Sequence, residues 1–153
     1  MGLTEDPKEA RESGIDPATG MQRVYVVLSE EERAKGFVRP VRTEYVHVGL
    51  PAPANLRDLT AEERELYSGT GYEKFEEYPE GSGARGRFWT HEQLHRINGG
   101  CGTKTWMNIA FAETYARQPD YYTGTYCAGC QAHFPVGPKG EFVWEGTDER
   151  VGT

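Results

Sequence analysis

The chain has 153 residues, of which 37% are hydrophobic, and its formal net charge is −7 at neutral pH. This length fits one domain, or one domain with a small appendage, and the 19 glycines and 9 prolines predict many turns and short elements. The acidic charge disfavours extended contact with nucleic acid, which generally requires a basic patch.

The predicted elements begin after a polar N-terminal segment. Residues 1–20 predict a flexible or extended arm, and residues 21–153 are expected to form a single zinc-stabilised domain. Runs of β-branched and aromatic residues predict strands at 23–28, 43–48, 121–126 and 141–144, and the alternation at 72–78 predicts a surface strand or an ordered loop. The last of these strands is expected to return across a hairpin loop at 137–140, alongside 133–136.

Three short helices are predicted from capping boxes, in which a hydroxyl residue precedes an acid or amide by three positions. The pairs are Ser29 with Glu32, Thr60 with Glu63, and Thr90 with Gln93. A longer helix is predicted from Thr103 to just before Pro119, because apolar residues recur there at helical spacing. The resulting class is α+β: a small antiparallel sheet with short helices and a C-terminal zinc-ribbon-like knuckle and hairpin.

The strongest chemical signal is the pair Cys127 and Cys130, which form a C-x2-C turn. Two thiolates at this spacing can bind one zinc ion, because the tight turn directs both sulfurs to the same side. Cys101 follows two glycines and can supply a third thiolate. A redox-active pair is disfavoured, because the residues after the turn favour a strand and not the start of a helix.

A closed site needs one further ligand, a histidine or a carboxylate. His133 is favoured because it follows Cys130 by three residues, while His95, His91 and His47 stay open as alternatives. Four protein ligands leave no position for an activated water, so a zinc ion bound in this way is structural.

One further motif indicates a different chemistry. His91, Glu92 and His95 match H-E-x-x-H, in which two histidines on one helix face bind zinc and the glutamate acts as a general base. Glu113 lies at a separation suited to a third ligand. The predicted helix is short and carries few apolar residues, so a surface helix is favoured over a small zinc hydrolase.

No stretch of the sequence approaches the roughly 18 apolar residues of a membrane span. The polar N-terminus also lacks the apolar region of a signal peptide. We therefore expect no membrane association and a cytoplasmic location, where cysteines are kept reduced and serve as metal ligands or buried thiols.

Three segments, 27–42, 112–117 and 142–152, are similar to a family of small tailed-bacteriophage and prophage proteins with a Cys…Cys-x-x-Cys-x-x-His motif. The resemblance extends from about residue 20 onward. It implies that Cys101, Cys127, Cys130 and His133 belong to the family pattern, whereas the H-E-x-x-H motif does not. It also implies phage origin and a location in the cytoplasm of a bacterial host, or in the virion, and it implies no activity.

The sequence therefore leads to three hypotheses. The favoured one is a non-enzymatic zinc-binding phage protein that acts as an interaction module on a host or phage protein, for instance as an inhibitor of a defence system. The alternatives are a structural or decoration component of the virion and a zinc hydrolase that uses His91, Glu92 and His95. The sequence leaves the oligomeric state open.

Overall fold

The structure is a computed structural model that describes residues 2–153. The chain divides into two compact units, one formed by the residues up to Gly49 together with Gly100–Thr153, the other by Leu50–Gly99. Both contain short helices and small, mostly antiparallel sheets, so the α+β class is confirmed at that level. The middle segment, Leu50–Gly99, forms a sheet of its own.

Fifteen elements follow one another along residues 2–153. In chain order they are β1 (Gly2–Thr4), α1 (Pro7–Glu12), β2 (Val24–Val26), α2 (Glu30–Arg33), β3 (Glu44–His47), β4 (Leu56–Asp58), α3 (Ala61–Leu66), β5 (Tyr72–Glu76), β6 (Arg87–Thr90), α4 (His91–His95), β7 (Lys104–Trp106), α5 (Ile109–Arg117), β8 (Gly124–Cys127), β9 (Ala132–Pro135) and β10 (Phe142–Trp144). Across these residues, no helix combines the length and the apolar character that crossing a membrane requires.

The first unit is organised around a three-stranded antiparallel sheet in which β3 lies between β10 and β7. The hairpin of β8 and β9 and the parallel pair of β1 and β2 are separate two-stranded sheets. Its core consists of buried aromatic and aliphatic side chains with one cysteine among them: Tyr45, Tyr115, Cys127, Phe142, Trp144 and Val151. The α5 side chains at Ala112 and Ala116 are small enough to be almost fully buried beside this core.

The second unit is an antiparallel sheet in the order β4-β5-β6, with the helices α3 and α4 following strands. The Trp89 indole donates a hydrogen bond of 3.0 Å to the buried Glu76 carboxylate, which satisfies both polar groups in the interior. Thr60 and Thr90 form complete capping boxes with Glu63 and Gln93, as the sequence predicts. In the first unit, Ser29 accepts a hydrogen bond from the Glu32 amide and caps α2.

The N-terminal segment, expected to be an arm, contains two of these elements. Asp6 caps α1 by accepting a hydrogen bond from the Lys8 amide, and Pro7 occupies the first helical turn, where its missing N–H costs nothing. Residues 2–4 pair with β2 in parallel register. A polar composition therefore did not prevent ordered structure here, because capping and strand pairing supply it.

The predicted helix from Thr103 is wrong at its start. Lys104–Trp106 is the strand β7, and α5 begins only at Ile109, after Asn108 caps it through the Ala110 amide. Thr105 pairs with Tyr45 in the sheet, and this tertiary pairing outweighs the helical spacing of the apolar residues.

The pairing partner predicted for the last strand is also wrong. β10 pairs with β3 and not with β9, although Gly140 does close a turn onto Gly137 by a 2.9 Å hydrogen bond. β9 pairs with β8 instead, which leaves the 137–140 loop as a connection between two sheets.

Candidate metal centre

Three sulfurs and one imidazole nitrogen come together in the first unit. The ligand atoms of His47, Cys101, Cys127 and Cys130 all lie within 4.8 Å of one another. The sulfurs of Cys101 and Cys127 are 3.4 Å apart, and Nδ1 of His47 is 3.5 Å from the sulfur of Cys130. Among residues 2–153 this is the single group of three or more such side chains that could hold a metal ion.

Two of the cysteines are placed by the β8-β9 hairpin. Cys127 is the last residue of β8, and Cys130 lies in the turn that leads to β9. The Gln131 amide donates to the Cys127 carbonyl at 2.8 Å, which closes the turn, and the Cys130 amide lies 3.4 Å from the Cys127 sulfur. The turn therefore directs both sulfurs to one side, as expected for a C-x2-C pair.

The third cysteine reaches the cluster through a closely packed backbone. A Cβ atom at Gly100 would lie 2.2 Å from the carbonyl oxygen of His47, so no other residue fits there without a backbone shift. A Cβ atom at Gly129 would lie 2.3 Å from the Thr103 hydroxyl and 2.9 Å from the Cys101 sulfur. Both glycines are therefore required for the close approach of the segments that carry the ligands.

His47 is the last residue of β3, and its orientation is determined from both sides of the ring. Its side chain is 4% exposed and stacks on Phe134 with ring centroids 4.4 Å apart. Nε2 lies 3.0 Å from Oε1 of the buried Glu141. A neutral ring that donates Nε2–H to this carboxylate leaves the Nδ1 lone pair facing the sulfurs, an arrangement common among metal-binding histidines.

The acidities of the three thiols differ sharply. Partial desolvation opposes ionisation of Cys101, but hydrogen bonds from Thr103, His47 and Cys127 outweigh it and lower the pKa of Cys101 to about 6. Desolvation raises the pKa of Cys127, and desolvation together with the neighbouring Cys101 and Cys127 sulfurs raises the pKa of Cys130 to about 12. The protein groups alone stabilise one thiolate, and only a bound cation would stabilise three.

His133, the histidine favoured from the sequence, lies elsewhere. Its Nε2 is 2.8 Å from the Tyr25 hydroxyl, and burial lowers its pKa. In the hairpin, His133 pairs with Tyr126 while Cys127 pairs with Ala132. Because side chains alternate between the faces of a sheet, His133 projects from the face opposite to Cys127. His47 replaces it, and no spacing rule links a residue 54 positions before Cys101 to the C-x2-C turn.

The H-E-x-x-H residues form no comparable group. The rings of His91 and His95 are 4.3 Å apart on the five-residue helix α4, and His91 interacts with Glu73 at the surface. Glu113, the candidate third ligand, forms a 2.6 Å ion pair with Arg33. Within the described residues, no third histidine, cysteine or carboxylate completes a metal-binding group with His91 and His95.

The donor set of the His47 cluster, three sulfurs and one nitrogen, suits metals that prefer soft ligands in tetrahedral geometry. Its position joins three separate parts of the first unit: the end of β3, the segment before β7, and the β8-β9 turn. No protein-family model, no curated protein and no solved structure matches the chain.

Proposed function

We propose that His47, Cys101, Cys127 and Cys130 hold one structural zinc ion, and that the protein is a non-enzymatic interaction module. The mutual distance of the four ligand atoms, at most 4.8 Å, carries the proposal. Around a tetrahedral zinc ion, two sulfurs lie about 3.8 Å apart and a sulfur and a nitrogen about 3.6 Å apart. The distances of 3.4 and 3.5 Å therefore need to change by only a few tenths of an ångström.

The surroundings of the cluster support the same proposal. Glu141 accepts from the His47 ring, as the outer partner of a zinc-bound histidine does. The amide of Cys130 points at the Cys127 sulfur, which offsets charge on a metal-bound thiolate. A hairpin with the C-x2-C pair in its turn is the arrangement expected for a zinc-ribbon-like knuckle.

A zinc ion at this position has a structural role and no catalytic one. Four protein ligands fill a tetrahedron, so no open position is left at which a water could be activated. The ion would link segments that lie far apart in the sequence, and it would contribute on the order of 10 kcal/mol to folding at neutral pH. The exposed His91–His95 pair offers no comparable support for the zinc hydrolase alternative.

The interaction role is supported by the surface of the first unit. Trp106 and Ile109 are large apolar side chains that are 63% and 57% exposed. Exposed apolar groups of this size are typical of protein-binding surfaces when they lie together. With the resemblance to phage proteins, this favours a host or phage protein as the partner, in the cytoplasm of a bacterial host.

Metal analysis of the purified protein tests the zinc proposal. We expect one zinc per chain in the wild type, and loss of the metal in Cys127→Ser and His47→Ala. His133→Ala and His91→Ala are matched controls and should keep the full zinc content. Zinc that is lost in His133→Ala and kept in His47→Ala would overturn the ligand assignment.

The interaction role has its own test. Affinity capture from infected cells should recover a defined host or phage protein with the wild type and not with a variant that lacks zinc. Failure to recover any partner above background would overturn the interaction role. Mass spectrometry of purified particles decides whether the protein is a virion component.

A further inference from the structure

We propose that the outer edge of β7 and the cavity beside it bind an extended peptide segment of a partner protein. The segment carries a large apolar residue next to a basic residue. The inference rests on the proposed interaction role, and it names the binding surface and the chemistry of the partner.

The first observation is an unpaired strand edge. β7 is the outer strand of the β10-β3-β7 sheet. The His47 amide donates to the Thr103 carbonyl at 3.3 Å, and the Met107 amide donates to the Thr43 carbonyl at 2.8 Å. In an antiparallel ladder the bonded residues alternate, so Lys104 and Trp106 direct their main-chain N–H and C=O groups away from β3.

These outward groups have no partner in the part of the chain that the structure describes. Across residues 2–153, the main-chain N–H and C=O of Lys104 and of Trp106 form no hydrogen bond to another protein group. Such an edge is a template for a further strand, and partner peptides are recognised in this way by many domains. The edge is only three residues long, so the main chain alone offers few bonds and a side-chain pocket has to add affinity.

The second observation is a cavity of about 370 Å³ that reaches this edge. All four residues from Lys104 to Met107 line it, although their side chains alternate between the two faces of the sheet, so the cavity borders on the strand itself. Aromatic side chains also line it, among them Tyr25, Tyr45, Phe111, Tyr115 and Tyr122. Its volume lies within the range of typical ligand pockets.

The Tyr45 and Tyr122 hydroxyl groups in the cavity wall already have protein partners. The Tyr45 hydroxyl donates to the Tyr126 carbonyl and accepts from Thr125, and the Tyr122 hydroxyl donates to the Val26 carbonyl at 2.6 Å. A polar guest would find these groups engaged and would lose its own hydration. The cavity therefore favours an apolar side chain.

Strand geometry connects the edge with the cavity. Tyr45 and Thr105 form a cross-strand pair and project from the same face of the sheet. In a peptide added to β7, every second side chain projects from that face, toward the aromatic cavity. A second copy of this chain would offer the small Thr105 side chain at the centre of its own edge, which would leave most of the cavity unfilled.

The side chains on the opposite face of the sheet determine which charge the bound peptide should carry. Glu44 and Glu145 lie on this face and share one cation, since their carboxylates are 3.6 and 3.7 Å from Nζ of Lys104. This leaves one negative charge in excess, beside the exposed Trp106 ring. A lysine or arginine next to the apolar residue of the peptide would meet the carboxylate whose charge Lys104 does not balance.

The test starts with the zinc-loaded full-length protein and a phage-displayed library of random heptapeptides. We expect enriched peptides to carry phenylalanine, tryptophan or leucine beside lysine or arginine. One enriched peptide is then synthesised and its amides are N-methylated one at a time. Methylation should weaken binding about tenfold or more at every second position, because only those amides donate to β7.

A matched pair of variants tests the main-chain contribution of the protein. Trp106→Pro removes the outward N–H together with the indole, whereas Trp106→Ala removes the indole alone. Proline is tolerated on a strand edge when its missing N–H is not part of the ladder, so the fold is kept, and the zinc content verifies this. We expect Trp106→Pro to bind the peptide about tenfold more weakly than Trp106→Ala.

Three results would overturn the proposal. The first is a library selection that yields no enriched peptide. The second is equal peptide binding by Trp106→Pro and Trp106→Ala. The third is a wild-type dimer in solution that Trp106→Pro converts to a monomer, which would show that a second copy occupies the edge.

Other results distinguish a failure of this proposal from a failure of the proposed function. A captured partner that binds Trp106→Pro and the wild type equally refutes the edge alone. A purified wild-type protein that contains no zinc by metal analysis and still binds the selected peptides refutes the zinc proposal alone.

Discussion

The two units differ in how far apart in the sequence the residues that stabilise them lie. In the second unit, β4, β5 and β6 follow one another along the chain, and the capping boxes join residues three positions apart. In the first unit, the His47 ring meets Cys130 across 83 positions and Glu141 across 94. Closing such long loops costs conformational entropy, which a bound metal ion offsets. We therefore expect the stability of the first unit to depend on the metal and that of the second unit to be independent of it.

Removal of the metal should have the largest effect and tests this comparison directly. Treatment of the full-length protein with a strong chelator should destabilise the first unit by on the order of 10 kcal/mol. Hydrogen exchange followed by mass spectrometry should show lost protection in β3, β7 and the β8-β9 hairpin, while β4, β5 and β6 keep theirs. Equal loss in both units, or no loss at all, would contradict the comparison.

Zinc affinity should depend steeply on pH. At pH 7.5 the pKa of about 6 makes Cys101 a thiolate, whereas the raised pKa values keep Cys127 and Cys130 protonated. Zinc then displaces about two protons, and because protons compete with the metal, affinity should fall roughly 100-fold for each pH unit of acidification. Calorimetry in buffers of different ionisation enthalpy measures the protons released. A value near zero would contradict the assignment of thiol ligands.

Glu141→Gln tests the outer partner of His47. The amide oxygen can still accept from Nε2–H but carries no negative charge, so the imidazole becomes a weaker ligand. We expect zinc affinity to fall 10- to 100-fold in competition with a chromogenic chelator. Glu145→Gln changes an exposed carboxylate just past the other end of β10 and should leave the affinity unchanged. Equal affinities of both variants would show that the Glu141 contact does not tune the site.

The smallest effect concerns the second unit. Thr60→Ala and Thr90→Ala each remove an N-cap, which should lower the stability of this unit by about 1 kcal/mol without changing zinc content. Urea unfolding followed by hydrogen exchange of β4, β5 and β6 measures the change. Glu65→Ala, at an exposed position of α3, is the control. A coupled loss of zinc would show that the two units do not respond independently.

The capping boxes and the C-x2-C turn could be predicted because each depends on residues a few positions apart. The strand at 43–48 was likewise predictable from its residues, and the structure has β3 there. At 72–78 the sequence left a surface strand and an ordered loop open, and the structure has β5. The start of α5 was mispredicted because apolar residues at 106 and 109 fit a helix, while the pairing of Thr105 with Tyr45 made the first of them part of a strand.

The histidine of the cluster shows the limit of prediction from sequence most clearly. The sequence alone determined that three cysteines should converge, because the spacing of Cys127 and Cys130 restricts them to one turn and two glycines before Cys101 permit a close approach. Only the tertiary structure decided between His47 and His133. Strand alternation turns His133 toward Tyr25, and the pairing of β3 with β7 and β10 brings His47 between the sulfurs and Glu141. Proximity in sequence favoured the nearer histidine, but the face of the strand determines which ring meets the sulfurs.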